Sequence, residues 1–168
     1  MRPLLLLDFD DCVCLSKPYG GYDVTLRPWP EDLPAKLWHQ PAMEVLQPIV
    51  EDIKPQVVVT SSWLGLMMLD SIKELFEATG VPWLAKALHP HGEAMQSRGW
   101  TRLQAIDTWL RAHHQDEPYA IVDDSLSGTG LAGSLHDKAG RVVLCEVDVG
   151  LLLIHAERVR KALTSPVR

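Results

Sequence analysis

The feature that most constrains this chain is an apolar run that ends abruptly in acid, and it occurs twice. Leu4-Leu5-Leu6-Leu7 is followed at once by Asp8-Phe9-Asp10, and Tyr119-Ala120-Ile121-Val122 by Asp123-Asp124. Four successive apolar residues without alternation suit a strand buried on both faces, the usual setting in a parallel sheet. A third run, Val57-Val58-Val59, is β-branched, starts beyond Pro55 and ends in Thr60-Ser61. In an open α/β sheet, ligands gather at the carboxyl ends of the strands. These three polar ends are therefore expected to meet on one rim, although the chain separates them widely.

Helical spacing fills the gaps. Ala42, Val45, Leu46, Ile49 and Ile53 predict an amphipathic helix over 41–53, with Pro48 as a candidate kink. Leu66, Leu69, Ile72 and Phe76 predict the next, closed by Gly80 and Pro82. Leu103, Ile106 and Leu110 mark another, and Leu152, Ala156, Val159 and Leu163 a closing helix after a strand over 141–147. The alternation predicts one α/β domain over 1–168, a doubly wound, Rossmann-like, mostly parallel sheet with helices on both faces. Segment 14–38 carries Pro18, Gly20, Gly21, Pro28, Pro30 and Pro34. It reads as a loop or hairpin excursion with a turn at Gly20-Gly21, a flap and not a separate cap domain.

Composition narrows the class. The 168 residues are 46% hydrophobic and 23% charged, which excludes a disordered chain. A net charge of -6 with no dense Lys/Arg run argues against a long nucleic-acid duplex as partner. Cys12, Cys14 and Cys145 make no disulfide framework, and Cys12-x-Cys14 is too little for a zinc site. His89-Pro90-His91 and His113-His114 lack a Cys or acid at ligand spacing and are expected in a solvent-facing loop and at a helix end. Leu4 to Leu7 is too short for a signal-peptide core, and no stretch nears the ~20 apolar residues that span a bilayer. A soluble, cytoplasmic protein without a membrane partner is expected; oligomeric state has no signal.

An Asp at a strand end is usually a cap or turn residue, and Thr60-Ser61-Ser62 alone reads as an N-cap. Together the polar ends say more. Asp8, Asp10, Asp123 and Asp124, brought to one rim, repel each other and pay desolvation, so the cluster persists best around a cation. Oxygen-only donors favour Mg²⁺.

Three stretches resemble the motifs of the haloacid-dehalogenase superfamily. Leu7-Asp8-Phe9-Asp10-Asp11-Cys12-Val13 is similar to the first motif, Val59-Thr60-Ser61 to the second, and Ile121-Val122-Asp123-Asp124 to the fourth. Trp38-His39-Gln40-Pro41, Val59 to Trp63 and Trp100 to Ile106 resemble a subgroup associated with RNA-repair proteins. The resemblance implies a phosphatase in which Asp8 is the nucleophile and Asp10 the general acid and base. It implies Mg²⁺ held by Asp8, the Asp10 backbone carbonyl, Asp124 and, directly or through water, Asp123. Thr60 and Ser61 would bind phosphate. The cation of the third motif is Arg102 by its place at a helix start, with Arg98 and Lys86 as rivals. Position 11, usually Gly in the family, is Asp11, and position 12, commonly Thr or Val, is Cys12.

An open site could admit a large substrate or a macromolecular phosphate end. A small phosphorylated substrate or a nucleic-acid phosphate end is expected, with a free nucleotide as the rival substrate. Tyr19, Tyr22 and Trp29 could stack on a base, or anchor the flap to the core. Trp38, Trp63, Trp83, Trp100 and Trp109 read as packing at helix edges. The alternative is a non-catalytic or phospho-accepting Mg²⁺-binding regulatory domain of receiver-like type. Receivers, however, place the acid pair after the first strand and the phosphorylated Asp later, the reverse of this order, and the intact acid set argues against a silent domain.

Overall fold

The computed structural model, which describes residues 1–167, leaves each leucine of the opening run 1% exposed or less. They form β1 (Leu4–Leu7). The chain then passes through α1 (Gly21–Thr25), α2 (Leu33–Lys36) and α3 (Gln40–Ile53) to β2 (Gln56–Val59). Next come α4 (Leu69–Ala78), α5 (Pro82–Ala87), β3 (Leu88–Glu93), α6 (Arg102–His113) and β4 (Tyr119–Asp124). Last are α7 (Leu135–Lys138), β5 (Val142–Cys145) and α8 (Ala156–Thr164).

The strands form one sheet in the order β3-β2-β1-β4-β5, and every neighbouring pair is parallel. This is the doubly wound, Rossmann-like arrangement expected. Leu7 lies opposite Val59 on one side and Val122 on the other, so the three polar ends sit side by side. The strand order reverses between β1 and β4, where open α/β sheets form their binding crevice.

Alternate residues of the strands feed two cores. Leu5, Leu7, Val57, Val59, Ala120 and Val122 pack with buried residues of α3, α4, α5 and α8. Leu4, Leu6, Val58 and Ile121 pack with Ile106, Trp109 and Leu110 of α6. A strand covered on both faces has no polar position to spare, which is why the runs lack alternation.

Several elements differ from the sequence reading. Segment 14–38 holds two short helices, and Gly20-Gly21 heads α1 where a turn was expected, with the Gly20 N–H donating to Asp23 Oδ2 at 2.7 Å. α3 runs on through Pro48. The hydrogen bond lost and the ring clash at an interior Pro cost about 3 kcal/mol, and burial of Ala42, Met43, Val45, Leu46, Ile49 and Val50 offsets that. A 3₁₀ turn at Ser62–Gly65 occupies the approach to α4, which starts at Leu69. Pro82 opens α5, in the first turn, where its missing N–H is harmless. His89-Pro90-His91 is not a loop but part of β3, whose pairing with β2 shifts register between Val57 and Val59. An irregular edge strand is where a sheet tolerates proline.

Tyr19 and Trp29 pack on the core as anchors, whereas Tyr22 is 77% exposed. Trp38, Trp63 and Trp109 are buried, and Trp100 stands partly in solvent. All three cysteines are free and buried. Burial pushes the Cys14 thiol up to about 11, so it stays protonated and is a poor metal ligand. Among the described residues no helix is long and apolar enough to cross a membrane.

Candidate active site

Asp8 follows β1 directly, and its N–H donates to Val122 O at 2.9 Å, so the ladder between β1 and β4 extends to the first acid. Asp123 and Asp124 are the last residues of β4. All three are 1% exposed or less. One carboxylate oxygen from each lies within 4.8 Å of those of the other two.

The loop after β4 orients the pair. Asp123 Oδ1 accepts the Asp124 N–H at 2.9 Å, and Asp124 Oδ1 accepts those of Leu126 and Ser127 at 2.7 and 2.9 Å. Gly128 lets this loop close: a Cβ there would stand 2.6 Å from Asp124 O and 3.3 Å from Asp123 Cγ.

Arg102 enters from the first turn of α6. Thr101 caps that helix, accepting the Gln104 N–H at 3.2 Å while Gln104 Oε1 accepts the Thr101 N–H at 2.8 Å. The Arg102 N–H donates to Thr129 Oγ1 at 2.8 Å, tying the helix start to the loop after β4. The guanidinium, itself buried, reaches Asp8 Oδ1 from Nη2 at 3.4 Å and Asp123 Oδ2 from Nε at 3.0 Å. The second contact is a close ion pair without the alignment of a hydrogen bond. Arg98 and Lys86 are both exposed, and Lys86 lies by Arg2 and Lys54 on the α5 flank.

Thr60 and Ser61 follow β2 and are buried. Thr60 N–H donates to Leu7 O at 3.0 Å. Ser61 Oγ accepts the Trp63 N–H at 3.3 Å, capping the 3₁₀ turn, and keeps its own proton to donate.

Residues 4–156 match the family described as the HAD domain in Swiss Army Knife RNA repair proteins. The chain belongs to that family. No curated protein and no solved structure matches it. It is thus a HAD domain, of a superfamily of phosphatases and other hydrolases.

In this HAD domain the Arg102 guanidinium pairs with two of the three clustered carboxylates, those of Asp8 and Asp123. Burial, then the neighbouring Asp123, push Asp8 well above the usual carboxylate range, with Arg102 opposing. Burial likewise pushes Asp123 up to about 7, again against Arg102. Asp8 Oδ2, Asp123 Oδ2, Asp124 Oδ2 and Thr60 Oγ1 are buried without a hydrogen-bond partner. Buried polar atoms are normally satisfied, so four such oxygens on one rim fit a hard cation and an anionic ligand.

Asp10 stands apart from this group. Its Oδ1 accepts Trp63 Nε1–H at 2.9 Å and the Ser16 hydroxyl at 3.3 Å, and its Oδ2 accepts the Ser62 hydroxyl at 3.4 Å. It lines a cleft of about 410 Å³ together with Gly20, Gly21, Tyr22 and Trp63. Asp11 has φ 55°, which explains why glycine is usual there, and Asp is among the residues that tolerate it best. Its Oδ1 accepts the Asp148 N–H at 2.8 Å. Sequence reasoning missed the contacts of Trp63, Ser16 and Gly128, since an indole beside a strand end reads only as packing.

Proposed function

We propose that this HAD domain is a Mg²⁺-dependent phosphomonoester hydrolase working through an aspartyl-phosphate on Asp8. The cluster of three buried carboxylates carries the reading: Asp8 Oδ2 and Asp124 Oδ2 are unpartnered, and Asp123 Oδ2 is met by Arg102 Nε without a hydrogen bond. Those carboxylates, with the Asp10 backbone carbonyl, would hold the ion, which when bound neutralises charge between nucleophile and phosphate. Asp8 attacks phosphorus as the ester P–O bond breaks on the far side. Asp10 gives the leaving oxygen its proton, then takes one from the water that hydrolyses the acyl phosphate. Thr60 and Ser61 donate to the phosphoryl oxygens, and Arg102 holds the nucleophile in place and offsets charge.

The substrate class is a small phosphomonoester, a nucleotide or a nucleic-acid phosphate end. Tyr22, exposed on the cleft beside Asp10, supports a base or sugar as leaving group because it is free to stack. The test is phosphate release, with Mg²⁺, from p-nitrophenyl phosphate, nucleoside monophosphates and 3′- or 5′-phosphorylated oligonucleotides. Release, with a hydroxylamine-labile phosphoryl group on Asp8, is expected. No release from any of these overturns the reading.

Stability should report the ion as well. The folded chain binds the Asp123 proton more tightly than the unfolded chain does. Between the ordinary carboxylate value near 4 and about 7 it therefore carries the extra proton, and this site's contribution to stability falls as pH rises through that window. A cation must displace that proton at pH 5 but much less of it at pH 7.5. At about a hundred times its pH 7.5 Kd, Mg²⁺ should raise the Tm by about 5–10 °C at pH 7.5, and by clearly less at pH 5. Equal shifts in scanning fluorimetry would remove these carboxylates from the ion's ligands.

A further inference from the structure

Trp63 is buried at 1% exposure, held by Trp38 in a stack with centroids 5.8 Å apart and by Phe9 edge-on at 5.2 Å. Its indole N–H nevertheless leaves the core and donates to Asp10 Oδ1 at 2.9 Å. Ser16 adds a second donor to the same oxygen at 3.3 Å. Asp10 Oδ2 has only the longer contact from Ser62 at 3.4 Å, so it is the oxygen left to handle a proton in the cleft.

The flap bears on the same indole. A Cβ on Gly21 would stand 2.8 Å from Trp63 Nε1 and 2.9 Å from Cε2. Gly21 is not among the residues with positive φ, so space is what requires a glycine here. The first residue of α1 thus rests on the very atom that holds Asp10.

We infer that Trp63 is a positioning residue for the Asp10 carboxyl, and that the flap sets the indole through Gly21. The inference rests on the proposed reading of Asp10 as the acid that protonates the leaving group. A positioning role and a merely packing role for the indole differ in kinetics. Loss of packing slows every ester alike. Loss of the acid's alignment slows most those esters whose leaving oxygen most needs a proton.

The experiment compares kcat/KM for p-nitrophenyl phosphate, whose leaving phenolate is stable, with that for p-methoxyphenyl phosphate, whose phenolate is not. Asp10→Asn should widen the gap between them strongly. Trp63→Phe, which keeps a ring but removes the N–H, should widen it about tenfold, the size expected for one lost hydrogen bond to a charged group. Gly21→Ala, which leaves the indole in the chain but crowds it, should widen it in the same sense, and it carries the test if Trp63→Phe does not fold. A widened gap for Asp10→Asn with no widening for Trp63→Phe or Gly21→Ala removes the positioning role alone. No widening for Asp10→Asn removes the acid role of Asp10, and the positioning role with it.

Discussion

Asp8→Asn is expected to lower phosphomonoester turnover by about 10⁴-fold or more, the scale on which covalent nucleophiles matter. The substitution preserves shape and removes only the carboxylate oxygen to which the proposed mechanism assigns the attack. The fold should not suffer. Asp8, Asp123 and Asp124 share one buried rim with one guanidinium between them. Each like-charge pair there repels by on the order of 3 kcal/mol at an effective dielectric constant near 20. Where Asp8 is ionised, neutralising it relieves two such pairs at the loss of its 3.4 Å contact with Arg102. Where Asp8 is already protonated, Asn replaces a neutral group. In both cases Arg102 keeps its 3.0 Å contact with Asp123. The metal-free variant should therefore melt at or above the parent temperature while its initial rates vanish. A variant that still turns over at the parent rate would take Asp8 out of the nucleophile role.

Chelation is expected to have the second large effect: EDTA should bring activity to background, and added Mg²⁺ should restore it. Burial and Asp123 favour the protonated form of Asp8 against the opposing charge of Arg102. A protonated carboxyl is a poor nucleophile, and an ionised cluster would repel an incoming phosphate dianion. Either way, the proposed reaction calls for more positive charge than Arg102 supplies. Full activity after dialysis against chelator would contradict this account, whatever Asp8 itself does.

The parts of the rim that are legible in the chain are those written in consecutive residues. Leu4 to Asp8 and Tyr119 to Asp124 announce both the strand and its acid end, since a strand buried on two faces has no room for a polar residue until it emerges. Two parallel pairings, Leu7 with Val59 and Leu7 with Val122, then bring Asp8, Thr60 and Asp123 together. By contrast β3 is hidden, because Leu88-His89-Pro90-His91-Gly92-Glu93 has neither the run nor the alternation of a strand. Backbone pairing with Val57 and Val59 makes it one despite its composition. The helices α1 and α2 are hidden for a related reason. At five and four residues they are too short for a periodicity, and they sit among prolines that read as loop.

The chain alone determines the apolar strands, their acid ends and hence a parallel sheet with a carboxylate rim, because each depends on neighbours in sequence and on the burial of a few adjacent side chains. Only the tertiary structure decides which cation meets those acids. Arg102 is favoured in the sequence by its place at a helix start, with Arg98 and Lys86 left as rivals; the capping of α6 by Thr101 and its tie to Thr129 bring only the first inward. It also decides that Asp10 turns from the other acids toward Trp63 and the flap. Those contacts join residues far apart in the chain, and side-chain direction at such distances follows from packing, which no local pattern encodes.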